Sequence, residues 1–175
     1  ASGALAIDPL APRPGRVANG PSLSNPIRFQ TSTTTLECAW GEFVDTLSGV
    51  ESFHVGFGSA VGAADTVAFS VQPATVSTFA ASGLSLLSGT TYFCTVVAYD
   101  EVGNSVSVSS MGVVVDNTPP IAGAVLDSAP SAMLQGLGNL DLDNLVAPSA
   151  LAASWPGWDD PESGIVHVEW ALGTS

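Results

Sequence analysis

The chain contains an internal repeat, and that repeat limits its fold more than any other feature. Leu36-Glu37-Cys38-Ala39-Trp40-Gly41-Glu42-Phe43-Val44-Asp45 aligns without a gap on Leu151-Ala152-Ala153-Ser154-Trp155-Pro156-Gly157-Trp158-Asp159-Asp160. The match continues with Ser48-Gly49-Val50 on Ser163-Gly164-Ile165 and Gly56-Phe57-Gly58-Ser59 on Ala171-Leu172-Gly173-Thr174, all 115 residues apart. Upstream matches run 108 residues apart: Ile7-Asp8 on Val115-Asp116, Pro12 on Pro120, Gly15 on Gly123 and Val17 on Val125. The seven-residue difference falls between Val125 and Leu151, where a longer loop costs little. The repeat therefore predicts three parts. Residues 1–8 read as the last strand of a preceding repeat, with 4–8 as its strand. Residues 9–116 read as one complete repeat, and 117–175 as the first half of the next. A chain divided in this way is expected to be a segment of a longer tandem array.

Within the repeat the apolar residues recur every second position, the signature of half-buried strands. Leu36, Cys38 and Trp40 alternate with Glu37 and Ala39; Phe53, Val55 and Phe57 alternate likewise, as do Tyr92, Cys94, Val96 and Ala98. Val106, Val113 and Val115 follow with more noise. Turn clusters at Asp45-Thr46-Leu47-Ser48-Gly49, 58–65, Ser88-Gly89-Thr90 and Asp100-Glu101-Val102-Gly103-Asn104 separate these runs. Short strands with turns every 8–12 residues predict an all-β sandwich. A short helix is admissible only at 133–144.

Composition excludes several functions. Sixteen acids against three bases give a net charge of −13. There is no Lys, and Arg13, Arg16 and Arg28 all lie near the start; from residue 29 onward there are fifteen acids and no base. Nucleic acid and anionic membrane surfaces need clustered cations that this chain does not supply. No apolar run reaches the ~20 residues of a membrane-crossing helix. Charged residues make up only 11% of the chain, against roughly 25% in average soluble proteins. With 46% apolar residues the chain is not of disordered type. Its surface must be largely Ser, Thr, Ala and Gly, which suits coverage by glycan or by neighbouring subunits.

Leu86-Leu87-Ser88-Gly89-Thr90-Thr91-Tyr92, followed by Val96, Ala98, Asp100 and Gly103-Asn104-Ser105, resembles the F–G hairpin of fibronectin type III and related immunoglobulin-like domains. Leu36 and Trp40 match strand B of that family, where a buried Trp is usual. The resemblance covers about 14–116 and the front of the next repeat. The repeat unit, with Asp116-Asn117-Thr118-Pro119-Pro120 and Trp155-Pro156-Gly157-Trp158-Asp159-Asp160-Pro161-Glu162-Ser163-Gly164-Ile165, is similar to repeats of large extracellular proteins of green algae and other protists, such as mastigoneme (flagellar hair) glycoproteins. The first repeat departs from it, with Asp8-Pro9-Leu10-Ala11-Pro12 at the linker. The resemblance implies tandem sandwiches and an extracellular, cell-surface or flagellar location. It also implies a disulfide between Cys38 on strand B and Cys94 on strand F, with Tyr92 placed for a tyrosine corner. Two buried free thiols are the competing reading.

The residues offer little catalytic chemistry, and an enzyme is not expected. His54 and His167 are not repeat equivalents, and neither has a second His or a Cys at metal-ligand spacing. There is no Gly-x-Ser-x-Gly elbow, and Gly56-Phe57-Gly58 lacks the helix a dinucleotide loop needs. The densest acidic group, Asp159, Asp160 and Glu162 with Asp116 at the preceding linker, is the candidate calcium set. A solvated turn is the preferred reading of Asp-Asp-Pro-Glu-Ser-Gly. The first repeat keeps only Asp45, with Val44 and Leu47 at the other two places, so no cofactor and no repeat-invariant calcium site is expected. Trp40 and Trp155 are equivalents and Trp158 replaces Phe43, so three of the four tryptophans, Trp170 being the fourth, have repeat partners that read as packing, and core is preferred to a sugar platform. No Asn-x-Ser/Thr sequon exists, since Asn104-Ser105-Val106 and Asn117-Thr118-Pro119 both fail; O-linked sugar on Thr33-Thr34-Thr35 is open.

These features point to a structural repeat segment of an extracellular filament or surface appendage. Its partners would be neighbouring repeats of the same or identical chains, with Arg13, Arg16 and Arg28 meeting an acidic face of an adjoining domain. Pro-rich linkers would restrict the hinges between repeats. The alternatives are a glycan- or ligand-binding adhesion module, and an accessory array of a secreted enzyme.

Overall fold

The computed structural model describes residues 7–128 and 152–171. The chain forms two compact units, Ala1–Asn117 and Thr118–Ser175. Among the described residues it is all β, with no helix, and no helix is long and apolar enough to cross a membrane. The strand of a preceding repeat expected at 4–8 and the helix admitted at 133–144 lie outside the described residues, apart from Ile7 and Asp8.

Unit 1 is a sandwich of two sheets. Its strands are β1 (Arg16–Asn19), β2 (Phe29–Gln30), β3 (Thr35–Gly41), β4 (Val50–Gly58), β5 (Val67–Pro73), β6 (Thr78–Ser82), β7 (Thr91–Asp100), β8 (Ser105–Ser109) and β9 (Val113–Val115). One sheet has the order β1-β3-β6; the other runs β2-β9-β7-β4-β5, with β8 also on β7. All pairs are antiparallel except β2 with β9.

Period-2 alternation supplies the core. Leu36, Cys38 and Trp40 point inward from β3; Phe53, Val55 and Phe57 from β4; Tyr92, Cys94, Val96 and Ala98 from β7. On β4 and β7 the inward residues are direct cross-strand neighbours, Phe53↔Ala98, Val55↔Val96 and Phe57↔Cys94, which is the unit of sheet stabilisation. Trp40 is 2% exposed and meets Phe53 edge-on at 5.6 Å. Truncating such a ring costs about 3–5 kcal/mol. Cys38 and Cys94 are joined by a disulfide between the sheets. The Leu87 amide donates to the Tyr92 hydroxyl at 3.1 Å, the corner expected of a Tyr two residues before the second Cys.

The noise in the Val106, Val113, Val115 alternation has a physical cause. The last strand breaks at Ser110-Met111-Gly112, and Gly112 has φ +91°. The Ser110 hydroxyl accepts the Cys94 amide at 2.9 Å. Beyond the break, β9 pairs with the start of β7 and lies parallel to β2.

In unit 2, β10 (Leu126–Ser128) and β11 (Ala152–Ser154) pair antiparallel, with Leu126↔Ser154, Asp127↔Ala153 and Ser128↔Ala152. This register is that of β1 on β3 transposed. Ala18↔Ala39 and Asn19↔Cys38 become Leu126↔Ser154 and Asp127↔Ala153 when 108 is added to one strand and 115 to the other. The isolated bridge Arg13↔Val44 becomes Ile121↔Asp159 by the same shifts. Gly15 and Gly123 sit at equivalent close approaches: a Cβ on Gly15 would strike the Gly41 carbonyl and Phe43, and one on Gly123 would strike the Pro156 carbonyl and the Trp158 amide.

Candidate functional site

The densest functional geometry of unit 1 lies where the leading segment meets two turns. Asp8 comes from that segment, Asp45 from the turn after β3, and Asp100 from the end of β7; each places a carboxylate oxygen within 4.8 Å of the other two. Sequence inspection singled out only Asp45 of the three. The usable signal was the repeat itself, because Asp8 falls on Asp116 and Asp45 on Asp160.

Each carboxylate is held by local donors, and the Ser48 amide is shared by two of them. Asp45 Oδ1 accepts the amides of Leu47, Ser48 and Gly49 at 3.0, 2.8 and 2.9 Å. Asp8 Oδ2 accepts the amide and hydroxyl of Ser48 at 3.1 and 2.7 Å. Asp100 is fully buried; its Oδ1 accepts the amides of Val102 and Asn104, and its Oδ2 accepts Asn104 Nδ2 at 2.8 Å. Asn104 Nδ2 also lies 3.1 Å from the Asp8 carbonyl and 3.0 Å from that of Leu10. One amide group thus ties the leading segment to the β7–β8 turn.

The donors set the acidity. The Gly49 amide, with those of Ser48 and Leu47, holds Asp45 below the ordinary carboxylate range despite partial desolvation. Burial pushes Asp100 upward, but the Asn104 side chain and the turn amides outweigh it, so its net shift is also down. At the far end of the β4–β5 connection, the Ser59 hydroxyl and amide lower Asp65. Three carboxylates this close offer oxygen ligands of the kind hard divalent cations take.

The acids expected as calcium ligands divide between the units. In unit 1, Asp116 is buried and its amide donates to the Gln30 carbonyl at 2.8 Å. In unit 2, Asp159 exchanges backbone hydrogen bonds with Ile121. Asp160 Oδ1 accepts the amides of Glu162 and Ser163 at 3.2 and 2.9 Å, repeating the Asp45 turn. Glu162 is partly buried in that turn.

Arg16 and Arg28 line one groove of about 780 Å³ between β1 and the β8–β9 segment, together with Asn19, Phe29 and Met111. Arg13 is not among the lining residues; it is held by its backbone bridge to Val44. Arg16 pairs with Glu42 at 3.3 Å, both side chains exposed, which contributes about 0–1 kcal/mol. Asn19 is 2% exposed with neither amide atom hydrogen-bonded to protein.

His54 packs its ring on Tyr99 at 4.5 Å, and exposed His167 stands 3.7 Å from Glu169. The tryptophans diverge from the core expected of them. Trp40 is buried, but Trp155, Trp158 and Trp170 are 37%, 36% and 57% exposed. The equivalent core in unit 1 is closed by β7 and its neighbours; the described residues of unit 2 pair only as β10 and β11 and two bridging residues.

The chain matches no protein-family model, and the curated proteins include no match to it.

Proposed function

We propose that the chain is a non-catalytic structural segment of an extracellular filament or surface appendage of the mastigoneme kind, built from tandem immunoglobulin-like or fibronectin type III-like sandwiches. One observation carries this reading. Strand pairing in unit 2 repeats that of unit 1 at the same two offsets, down to the bridge Ile121↔Asp159. Successive copies of one supersecondary frame are the mark of an array. The disulfide Cys38–Cys94 fits an oxidising compartment.

Assembly would use the charge asymmetry, with the Arg13, Arg16 and Arg28 region of one copy meeting an acidic face of another. The test is sedimentation of the chain at low and high salt, with and without replacement of the three arginines by Gln. Salt-sensitive assembly that the triple variant loses supports the reading; an unchanged salt profile contradicts it.

A further inference from the structure

Arg16 and Arg28 are two of the three cations in the chain, and both line the groove between β1 and the β8–β9 segment. Arg28 has no carboxylate partner among the described residues, and Arg16 has only its exposed contact with Glu42. In a molecule of net charge −13, this groove attracts an anion where the rest of the surface repels one.

Asn19 lines the same groove. Its antiparallel partner is Cys38, and directly opposed residues share a face, so its side chain lies on the inner side of β1. That position suits an apolar residue. It carries instead an amide that is 2% exposed and has neither its donor nor its acceptor bonded among the described residues. A buried polar group without a partner opposes folding, and in native proteins it is met by water or a ligand. The walls beside it are apolar and open: Phe29 is 46% and Met111 95% exposed.

These three features select the ligand. The volume of about 780 Å³ is that of a small-molecule site rather than a single-ion site. A simple anion would meet the arginines but leave the amide and the walls unused. A fatty acid would set hydrocarbon against the Asn19 amide. An acidic peptide would have to order flexible side chains to present its carboxylates, whereas a sugar ring is rigid. A uronic acid serves every group. Its carboxylate takes the planar guanidinium donors. Its ring hydroxyls both donate and accept, matching the two halves of Asn19. Its C–H face covers Phe29.

We propose that this groove binds a short stretch of acidic polysaccharide, with a uronate carboxylate on Arg16 and Arg28 and ring hydroxyls on Asn19. The site belongs to the single chain and does not depend on the filament reading.

The test titrates the dilute full chain with trigalacturonate at low salt and follows backbone amide shifts. The expected result is saturable binding, with shifts centred on β1, 26–29 and 108–114. The neutral methyl ester of the same trisaccharide should bind about tenfold more weakly, as should the Arg28→Gln variant. Asn19→Leu should also weaken binding, while the unfolding midpoint of unit 1 holds or rises because a buried amide is removed without leaving a cavity. No saturation at millimolar trigalacturonate would overturn the proposal. So would equal binding of acid and ester, unchanged binding by Arg28→Gln or Asn19→Leu, or triglutamate binding as tightly, which would make the groove a peptide site.

Discussion

Ile121 and Asp159 exchange backbone hydrogen bonds in both directions, at 2.7 and 3.2 Å. Arg13 and Val44 do the same in unit 1. No side chain is shared between the two pairs, so the frame is held by main-chain pairing and by what flanks it: a glycine two residues on, and a turn closed by an Asp.

That glycine gives the first prediction. Gly15→Ala would push a Cβ into the Gly41 carbonyl and Phe43, and Gly123→Ala into the Pro156 carbonyl and Trp158 amide. Backbone on the far side cannot rotate away as a side chain can, so each should destabilise its own unit by about 1–3 kcal/mol. Urea unfolding read separately for each unit checks this. A neutral Gly15→Ala would show that the close approach relaxes freely.

Cys38 and Cys94 close a loop across 56 positions. The chain-entropy relation gives about 4 kcal/mol for such a loop. Cys38→Ala with Cys94→Ala should lower unfolding free energy in unit 1 by about that amount. The midpoint of unit 2 should not move, because Ala153 occupies the equivalent of Cys38.

Acid should weaken unit 1. Asp45, Asp65 and Asp100 are all lowered from the ordinary value of 3.8, so the folded form favours the ionised carboxylates. A lowered native value means that stability is fully present above the unfolded value and is lost as pH falls through the native ones. Thermal unfolding should be flat from neutral pH to about 5 and then fall steadily. Replacing all three with Asn should flatten that slope.

Asn104 offers a sharper test of the turn cluster. Its Nδ2 serves Asp100 Oδ2 and the carbonyls of Asp8 and Leu10. Asn104→Ala should cost about 1–2 kcal/mol and loosen amide protection at Leu10 and Ser48. Asn104→Asp should cost more at pH 7, because it adds a carboxylate beside buried Asp100. The gap between the two variants should narrow as pH falls below the carboxylate range. Equal losses at all pH values would show that the amide acts by shape alone.

Much of the fold was legible in the sequence because it rests on period-2 alternation. The inward residues of β3, β4 and β7 are those that alternate, and Tyr92 took its corner because hydroxyl and backbone partner are local. The acid cluster was not legible. Asp8, Asp45 and Asp100 are far apart in sequence and meet through loop geometry; the repeat marks Asp8 and Asp45 by their equivalents Asp116 and Asp160 but does not mark Asp100. The exposure of Trp155, Trp158 and Trp170 was missed for another reason. Equivalence of Trp155 to Trp40 and of Trp158 to Phe43 fixes which way a side chain leans, but burial depends on the strands that close over it. β5 alternates Val67, Phe69 and Val71 over seven residues, but Phe69 and Val71 face solvent rather than the core, and the five residues of β6 are marked as a strand only by pairing with β3.

Immunogold electron microscopy of cells that make the protein, with antibody raised against the folded chain, tests the filament reading most directly. That reading predicts label outside the cell, along filaments or surface appendages, at a recurring axial spacing. Label confined to the cell interior, or scattered with no filament beneath it, would contradict it.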